Sequence, residues 1–176
     1  NWLEANPYTG FHNPEGSNTG EYDDVSDLDE RLWASAELLR TDKTNTEGYL
    51  KRLLEYSQRD ISKTDFGWTD VSGFATLTIL FDPLHSAKEL ESGYRKVLFA
   101  EADRLCRLQD VSGYELAMTP EDFVWGSNMV VCNRSILLIL ASLLSEGNSA
   151  IHYREAALNQ LHYLLGRNAL DISYVT

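Results

Sequence analysis

The side chains best suited to chemistry are carboxylates, and they are crowded. "GEYDDVSDLDERLWASAELL" (residues 20–39) puts Glu21, Asp23, Asp24, Asp27, Asp29 and Glu30 into one short stretch before an apolar pattern begins. Like charges at that spacing repel, so something must offset them. Helix capping is one answer: Asp27 at the cap with Glu30 three residues on makes a capping box, and Asp29 in the first turn favours the helix dipole. That accounts for only some of the carboxylates. An EF-hand loop is excluded, because counting from Asp23 puts Val25 at the third position and Ala34 at the twelfth, where a Glu is required. A calcium site of another kind survives. Ca2+ takes about six to eight oxygens from carboxylates and carbonyls. Asp29 and Glu30 are adjacent, a bend before the helix would aim the Val25 and Ser26 carbonyls the same way, and Asp70 in "GWTDVSG" is a distant further ligand. The positive helix end opposes a cation there, so capping and metal both stand.

Several elements must position these groups. The chain has 176 residues, is 43% apolar and contains four Trp, enough for one domain with a real core or for part of a larger one. Its formal net charge of −12 excludes nucleic acid and anionic membrane surfaces as partners and suits neutral or cationic ligands. Cys106 and Cys132 lack metal-ligand spacing and fall in helical patterns, where small buried hydrophobes are expected. The most apolar run, "ILLILASLL" (136–144), is about half the ~20 residues a bilayer needs. Neither "NWLEANP" nor "DISYVT" reads as a targeting segment, and either end is compatible with a cut inside a longer protein.

The periodicity is helical nearly throughout. Leu28, Leu32, Trp33, Ala36 and Leu39 share one face; Tyr49, Leu50, Leu53, Leu54 and Ser57 share a second. Ala87, Leu90, Tyr94, Val97, Leu98, Leu105 and Leu108 predict a long helix over about 86–109. Residues 125–144 are apolar on almost every side, the mark of a helix buried all round. Residues 151–165 are amphipathic, with Gly166 and Asn168 as a stop signal. "VSGFATLTILF" (71–81) has the β-branched content of a strand, but with no second strand to pair with it reads as helix. The fold class is therefore all-α, with an inner and an outer helical layer. The loops "NPYTGFHNPEGSNTGEYDD", "DISKTDFGWTD" and "DVSGYELAMTPEDFVWGSN" are long and rich in aromatics and Gly, where binding tends to sit.

Five stretches together are recognisable. "WLEANP" (2–7), "TGEYDDVSDLDERLWASAEL" (19–38), "FGWTDVSG" (66–73), "DFVWGSNMVVCNRSILL" (122–138) and "ALNQLHYLLGRNALDISYVT" (157–176) occur in the order and at about the spacing of family-9 glycoside hydrolases, the inverting cellulases. The sequence resembles a central-to-late portion of that catalytic domain across its whole length. The resemblance implies part of an (α/α)6 barrel, residues 1–176 being a portion of one domain. It also implies β-1,4-glucan hydrolysis with inversion, which requires an acid and a base about 6.5–9.5 Å apart. In the family the base comes from an upstream Asp-Ala-Gly-Asp motif, and the acid is a later Glu with a Pro-His-His-Arg stretch near it. None of the three is in this sequence, and His152 and His162 fall on helices where packing or surface roles are expected. No catalytic residue is therefore assigned.

What the resemblance carries over is metal and sugar contact. It places a structural calcium on Asp29, Glu30 and Asp70, with the Val25 or Ser26 carbonyl adding to them. It places Trp68 and Trp125, at loop-to-helix junctions, in the cleft wall, with Tyr22 a further stacking partner and Asp24 and Asn128 bonding hydroxyls; aromatic faces suit the C–H faces of pyranose rings. Trp2 and Trp33 read as core. The expected partners are a β-linked polysaccharide or oligosaccharide and the remainder of the chain's own catalytic domain, in a secreted or periplasmic protein. The acidic "DDVSDLDE" also suits an amino sugar, as in exo-acting glucosaminidases of the same fold on chitosan oligomers. A barrel remnant that binds carbohydrate without cutting it is the remaining alternative.

Overall fold

The computed structural model describes residues 5, 6, 12–21, 24 and 26–175. Tyr22, Val25 and Trp2 lie outside the described residues, so the expectations placed on them are not taken further. Six α-helices and no strand occur among the described residues: α1 (Leu28–Thr41), α2 (Thr46–Ser57), α3 (Ser72–Leu80), α4 (Lys88–Asp110), α5 (Ser127–Leu143) and α6 (Gly147–Leu164). The all-α expectation is met, and the long helix over 86–109 appears as α4. No described helix is long and apolar enough to cross a membrane.

Most chain neighbours are spatial neighbours. α1 packs on α2 and α3, α3 on α4, α4 on α5 and α6, and α5 most extensively on α6. One apolar core runs through all six, from Leu32 and Leu39 through Ile79, Leu98 and Leu105 to Leu138 and Ala157. Trp33 packs against it, stacked on Phe74 at 4.8 Å between ring centroids.

The run that could have been a strand is a helix whose threonine hydroxyls find partners within it and in the loop before it. Thr78 Oγ1 donates to the Phe74 carbonyl one turn back, and Thr76 Oγ1 donates to the Lys63 carbonyl. Gly73 lets α3 touch the preceding loop, since a Cβ there would lie 2.4 Å from the Asp65 carbonyl oxygen and 2.8 Å from the Phe66 ring.

Three expectations are corrected. The stretch 125–144 is not buried all round: Val131, Leu137, Leu138 and Ala141 of α5 are in the core, but Ile136, Ile139 and Leu143 are exposed. An apolar sequence does not create a neighbour on every side. The capping box at Asp27 does not form. Its carboxylate instead pairs with Arg31 at 2.6 Å, one turn on, and the Leu28 N–H goes to Ser26 Oγ at 3.2 Å. A guanidinium outcompetes a neutral amide for a carboxylate. Cys106 is buried as expected, whereas Cys132 is exposed.

Candidate functional site: an aromatic groove beside an acidic turn

A groove of about 460 Å³ opens between the loop before α3, the middle of α4 and the start of α5. Trp68 and Trp125, contributed by two different loops, both line it. They are 54% and 93% exposed, far from the interior positions that large aromatics usually take. Met129, Val130 and Leu137 add apolar surface, and Asp65, Glu101, Arg104, Asp122, Asn133 and Arg134 add polar atoms.

Each tryptophan is held through its loop. Around Trp68, Asp65 Oδ1 accepts the Gly67 N–H at 3.0 Å and the Asp65 carbonyl accepts the Gly73 N–H at 2.7 Å. Lys63 N–H donates to Ser72 Oγ at 2.8 Å. The loop is thus laced to the first turn of α3, largely by main-chain groups. Burial pushes the Asp65 carboxyl up, with the nearby Asp70 charge adding to it.

Around Trp125 the fastening is ionic. Arg134 on α5 reaches back to Asp122 with both Nη atoms, at 2.7 and 2.8 Å, and Nη1 also donates to the Ala117 carbonyl at 2.5 Å. Asp122 Oδ2 accepts the Thr119 N–H at 2.6 Å, closing a single 3-10 turn over Pro120–Asp122. Burial raises the Asp122 carboxyl, but hydrogen bonds from Arg134 and Thr119 outweigh it and hold the group below the usual carboxylate range. On the far side of the groove Arg104 forms a two-point pair with Glu101. Neither Arg134 nor Asp122 was singled out from sequence. They lie apart in the chain across a turn, so no helical or strand period links them.

The acidic turn is next to the Trp68 loop. Asp29 is buried and its Oδ2 accepts the Val71 N–H at 2.7 Å, so the start of α1 is tied to the residue after Asp70. Asp70 Oδ1 is used within its own loop, accepting the Ser72 N–H at 2.8 Å. Ser26 Oγ accepts Leu28 N–H, and Asp24 Oδ1 accepts Ser26 N–H at 3.2 Å. Glu30 differs from these. Its Oε2 is buried without a hydrogen-bond partner. Burial pushes its carboxyl up to about 7, with a hydrogen bond and charge from Asp29 and charge from Asp24 adding. Carboxylates packed this close repel one another. The donor types therefore suit a hard cation such as Ca2+. Among the described residues, however, no three His, Cys, Asp or Glu side chains converge closely enough to hold a metal by themselves. Carbonyl oxygens would have to complete the shell. Asp24 thus sits by the acidic turn rather than in the groove lining, and Asn128 is an exposed residue of the first turn of α5, outside that lining.

His152 and His162 are surface residues of α6. The stop signal after α6 is used as expected. Asn168 is buried, donating to the Tyr163 and Ile172 carbonyls at 2.8 Å each while its Oδ1 accepts the Leu170 N–H.

Comparison with known proteins gives a consistent picture. The model for glycosyl hydrolase family 9 matches residues 1–176. A cellodextrinase of Butyrivibrio fibrisolvens is 35% identical over 188 residues, covering 99% of this chain and 34% of the relative. Endoglucanase D of Acetivibrio thermocellus is 32% identical over 178 residues, covering 99% of this chain and 28% of the relative. The structure of AaCel9A in complex with cellobiose-like isofagomine superimposes with a TM-score of 0.85 at 32% identity, covering 99% of this chain and 32% of that one. The chain spans about a third of the length of these relatives or less.

Proposed function

Because the chain belongs to glycosyl hydrolase family 9, with its helices forming part of an (α/α)6 barrel, we propose that it supplies one wall of a glucan-binding cleft in a cellulase-type glycoside hydrolase. The carrying observation is the pair of exposed tryptophans converging on one groove from separate loops. Rings this exposed keep much of their surface for stacking on a ligand. Sugar rings offer flat C–H faces for the indoles and equatorial hydroxyls for the polar floor. The substrate would be a β-1,4-linked glucan or its oligosaccharides. The acid and base that the inverting reaction needs, one protonating the departing oxygen and one taking a proton from water, would come from elsewhere in the complete domain. A polymer substrate is met outside the cytoplasm, which favours a secreted or periplasmic protein.

Calcium belongs to the same reading. Asp29 and Glu30 would hold it, with Asp70 and the Ser26 carbonyl; its charge would offset the repulsion between the carboxylates and brace the acidic turn against the Trp68 loop. Support comes from the orphaned Glu30 Oε2 and the Asp29 bond to Val71. If the reading holds, EDTA lowers the melting temperature of the full-length protein and Asp29→Ala removes that response. An unchanged melting temperature in both would leave only hydrogen bonding at this turn.

One observation favours a second substrate. The groove carries one carboxylate, Asp65, beyond the two that pair with Arg104 and Arg134, which suits a cationic amino sugar. Assays of the full-length protein on cellulose, mixed-linkage glucan and chitosan oligomers separate the readings. Turnover of either glucan supports the first, turnover of chitosan oligomers alone supports the second, and binding without turnover on any of them leaves a carbohydrate-binding remnant.

A further inference from the structure

We propose that Arg134 is a positioning residue: it fixes the height of the Trp125 wall over the groove and so sets how tightly a sugar ring is gripped there. The inference rests on the carbohydrate reading of the groove and adds to it the part that makes one wall rigid.

Trp125 has almost no packing of its own. Its neighbours Phe123 and Val124 are exposed as well, and Gly126, at φ +80°, turns the chain sharply into α5. An indole in such a place keeps one orientation only if its loop is held from below. The loop between α4 and α5 is fastened at its start by an Arg167–Glu115 ion pair and further on by Gln160 and Arg134 from the helices beneath it. Gln160 Oε1 of α6 accepts the Ala117 N–H at 2.9 Å, well before the tryptophan. Arg134 holds both Ala117 and Asp122, the latter three residues from Trp125. Both partners of the pair are mostly enclosed, with side chains 15% and 22% exposed, so the interaction escapes most of the screening that weakens surface pairs. The planar fork meets both carboxylate oxygens, which fixes angle as well as distance. A lysine would supply the charge without the angle. The turn from Asp122 onward is short and bonded, Val124 N–H to the Asp122 carbonyl at 2.9 Å and Ser127 N–H to the Val124 carbonyl at 3.1 Å, so tilt at Asp122 is carried to Trp125.

This separates Arg134 from a generic stabiliser. Its effect on binding should pass through Trp125 and not through Trp68, whose loop is fastened to α3 by other groups. The experiment uses the full-length protein with cellohexaose as probe and reads KM and kcat for Trp68→Ala, Trp125→Ala, Arg134→Lys, Arg134→Met and the two tryptophan variants combined with Arg134→Met. Trp125→Ala is expected to raise KM about tenfold, and Arg134→Met by a comparable factor, with smaller effects on kcat. Arg134→Lys is expected to recover only part of the loss. Added to Trp125→Ala, Arg134→Met should cost less than about twofold more, while added to Trp68→Ala it should act in full. Breaking a buried pair can unfold a protein, so Arg134→Met with Asp122→Leu, which removes both charges, is the matched variant that keeps the fold and still frees the loop. Full additivity with Trp125→Ala, complete rescue by lysine, or an unchanged KM in a folded Arg134→Met protein would overturn the inference while leaving the groove reading intact. An unchanged KM in Trp125→Ala would overturn both.

Discussion

α5 has two sides with different fates. On one, Leu137, Leu138 and Ala141 join the core, and Met129, Val130 and Arg134 shape the groove beneath Trp125. On the other, Ile139 and Leu143 meet Leu158 and Leu161 of α6 across a second hollow of about 250 Å³ whose lining is mainly apolar, and Ile136 is exposed on the same face. The first side is completed by loops that belong to the chain. The second has exposed Ile and Leu side chains and no covering element among the described residues. Exposed apolar surface in the groove is interrupted by ion pairs and concave, as a ligand site is; exposed apolar surface on the flank is a continuous stripe, as a helix–helix interface is. The same kind of residue therefore serves two ends, and only its neighbours reveal which.

The largest expected effect concerns the flank. Expressed alone, residues 1–176 should self-associate, and Ile139→Lys with Leu158→Glu should shift the population toward monomer without altering the groove. Size-exclusion chromatography with light scattering reads this directly. A monomeric parent chain with one cooperative thermal transition would break the comparison, since the stripe would then need no cover.

Next comes the contrast between core and groove within α5 and its preceding loop. Leu138 is fully enclosed, so Leu138→Ala in the full-length protein should cost about 2–5 kcal/mol of stability. Trp125→Ala should cost within about 0.5 kcal/mol, because the ring is already in water. Denaturant midpoints measure both. A large loss for Trp125→Ala would mean that the ring packs on something in the complete domain and is not a free stacking surface.

The sequence made some of this legible. Helix existence followed from spacing: the face of Leu32, Ala36 and Leu39 is buried, as is that of Ala87, Tyr94, Leu98 and Leu105. What pattern alone misjudged was competition and context. Asp27 was a good cap on paper, but Arg31 one turn away was the stronger partner. The run 136–144 had no polar side to mark solvent, so which half of α5 would be covered was not encoded locally. For the candidate site, the aromatic loops could be located, yet Arg134 and Asp122 could not, because their pairing depends on how a turn folds back rather than on any period.

A smaller effect tests the ionic fastening by pH. Asp122 is held below the ordinary carboxylate range, so the folded state binds its proton less well than the unfolded one. The pair's contribution is therefore complete above the unfolded value of about 4 and is lost as pH falls through the lower folded value. Fluorescence of Trp125, read as the difference between the protein and its Trp125→Phe variant, should be steady from neutral pH down to about 5 and change only in acid. Asp122→Asn should show the acid-like signal at neutral pH. A change centred near neutrality would assign the loop's fastening to some other group.

The smallest effect sharpens the comparison without changing stability at all. Cys132, Ile136, Ile139 and Leu143 recur at helical spacing and form one exposed stripe of α5, so the thiol reports on whatever covers the stripe. Cys106 is a built-in reference: it is buried, and burial pushes its thiol up to about 11, with Asp103 and Asp110 adding. A thiol reagent at pH 8 should therefore label Cys132 and spare Cys106 in this chain, since reactivity needs both exposure and thiolate. In the complete domain the helix flank should be covered and Cys132 protected as well, while a tryptophan-directed reagent still reaches Trp125. Labelling of Cys132 at the same rate in both proteins would show that the flank stays open in the full-length protein, and the stripe would then need a partner of its own.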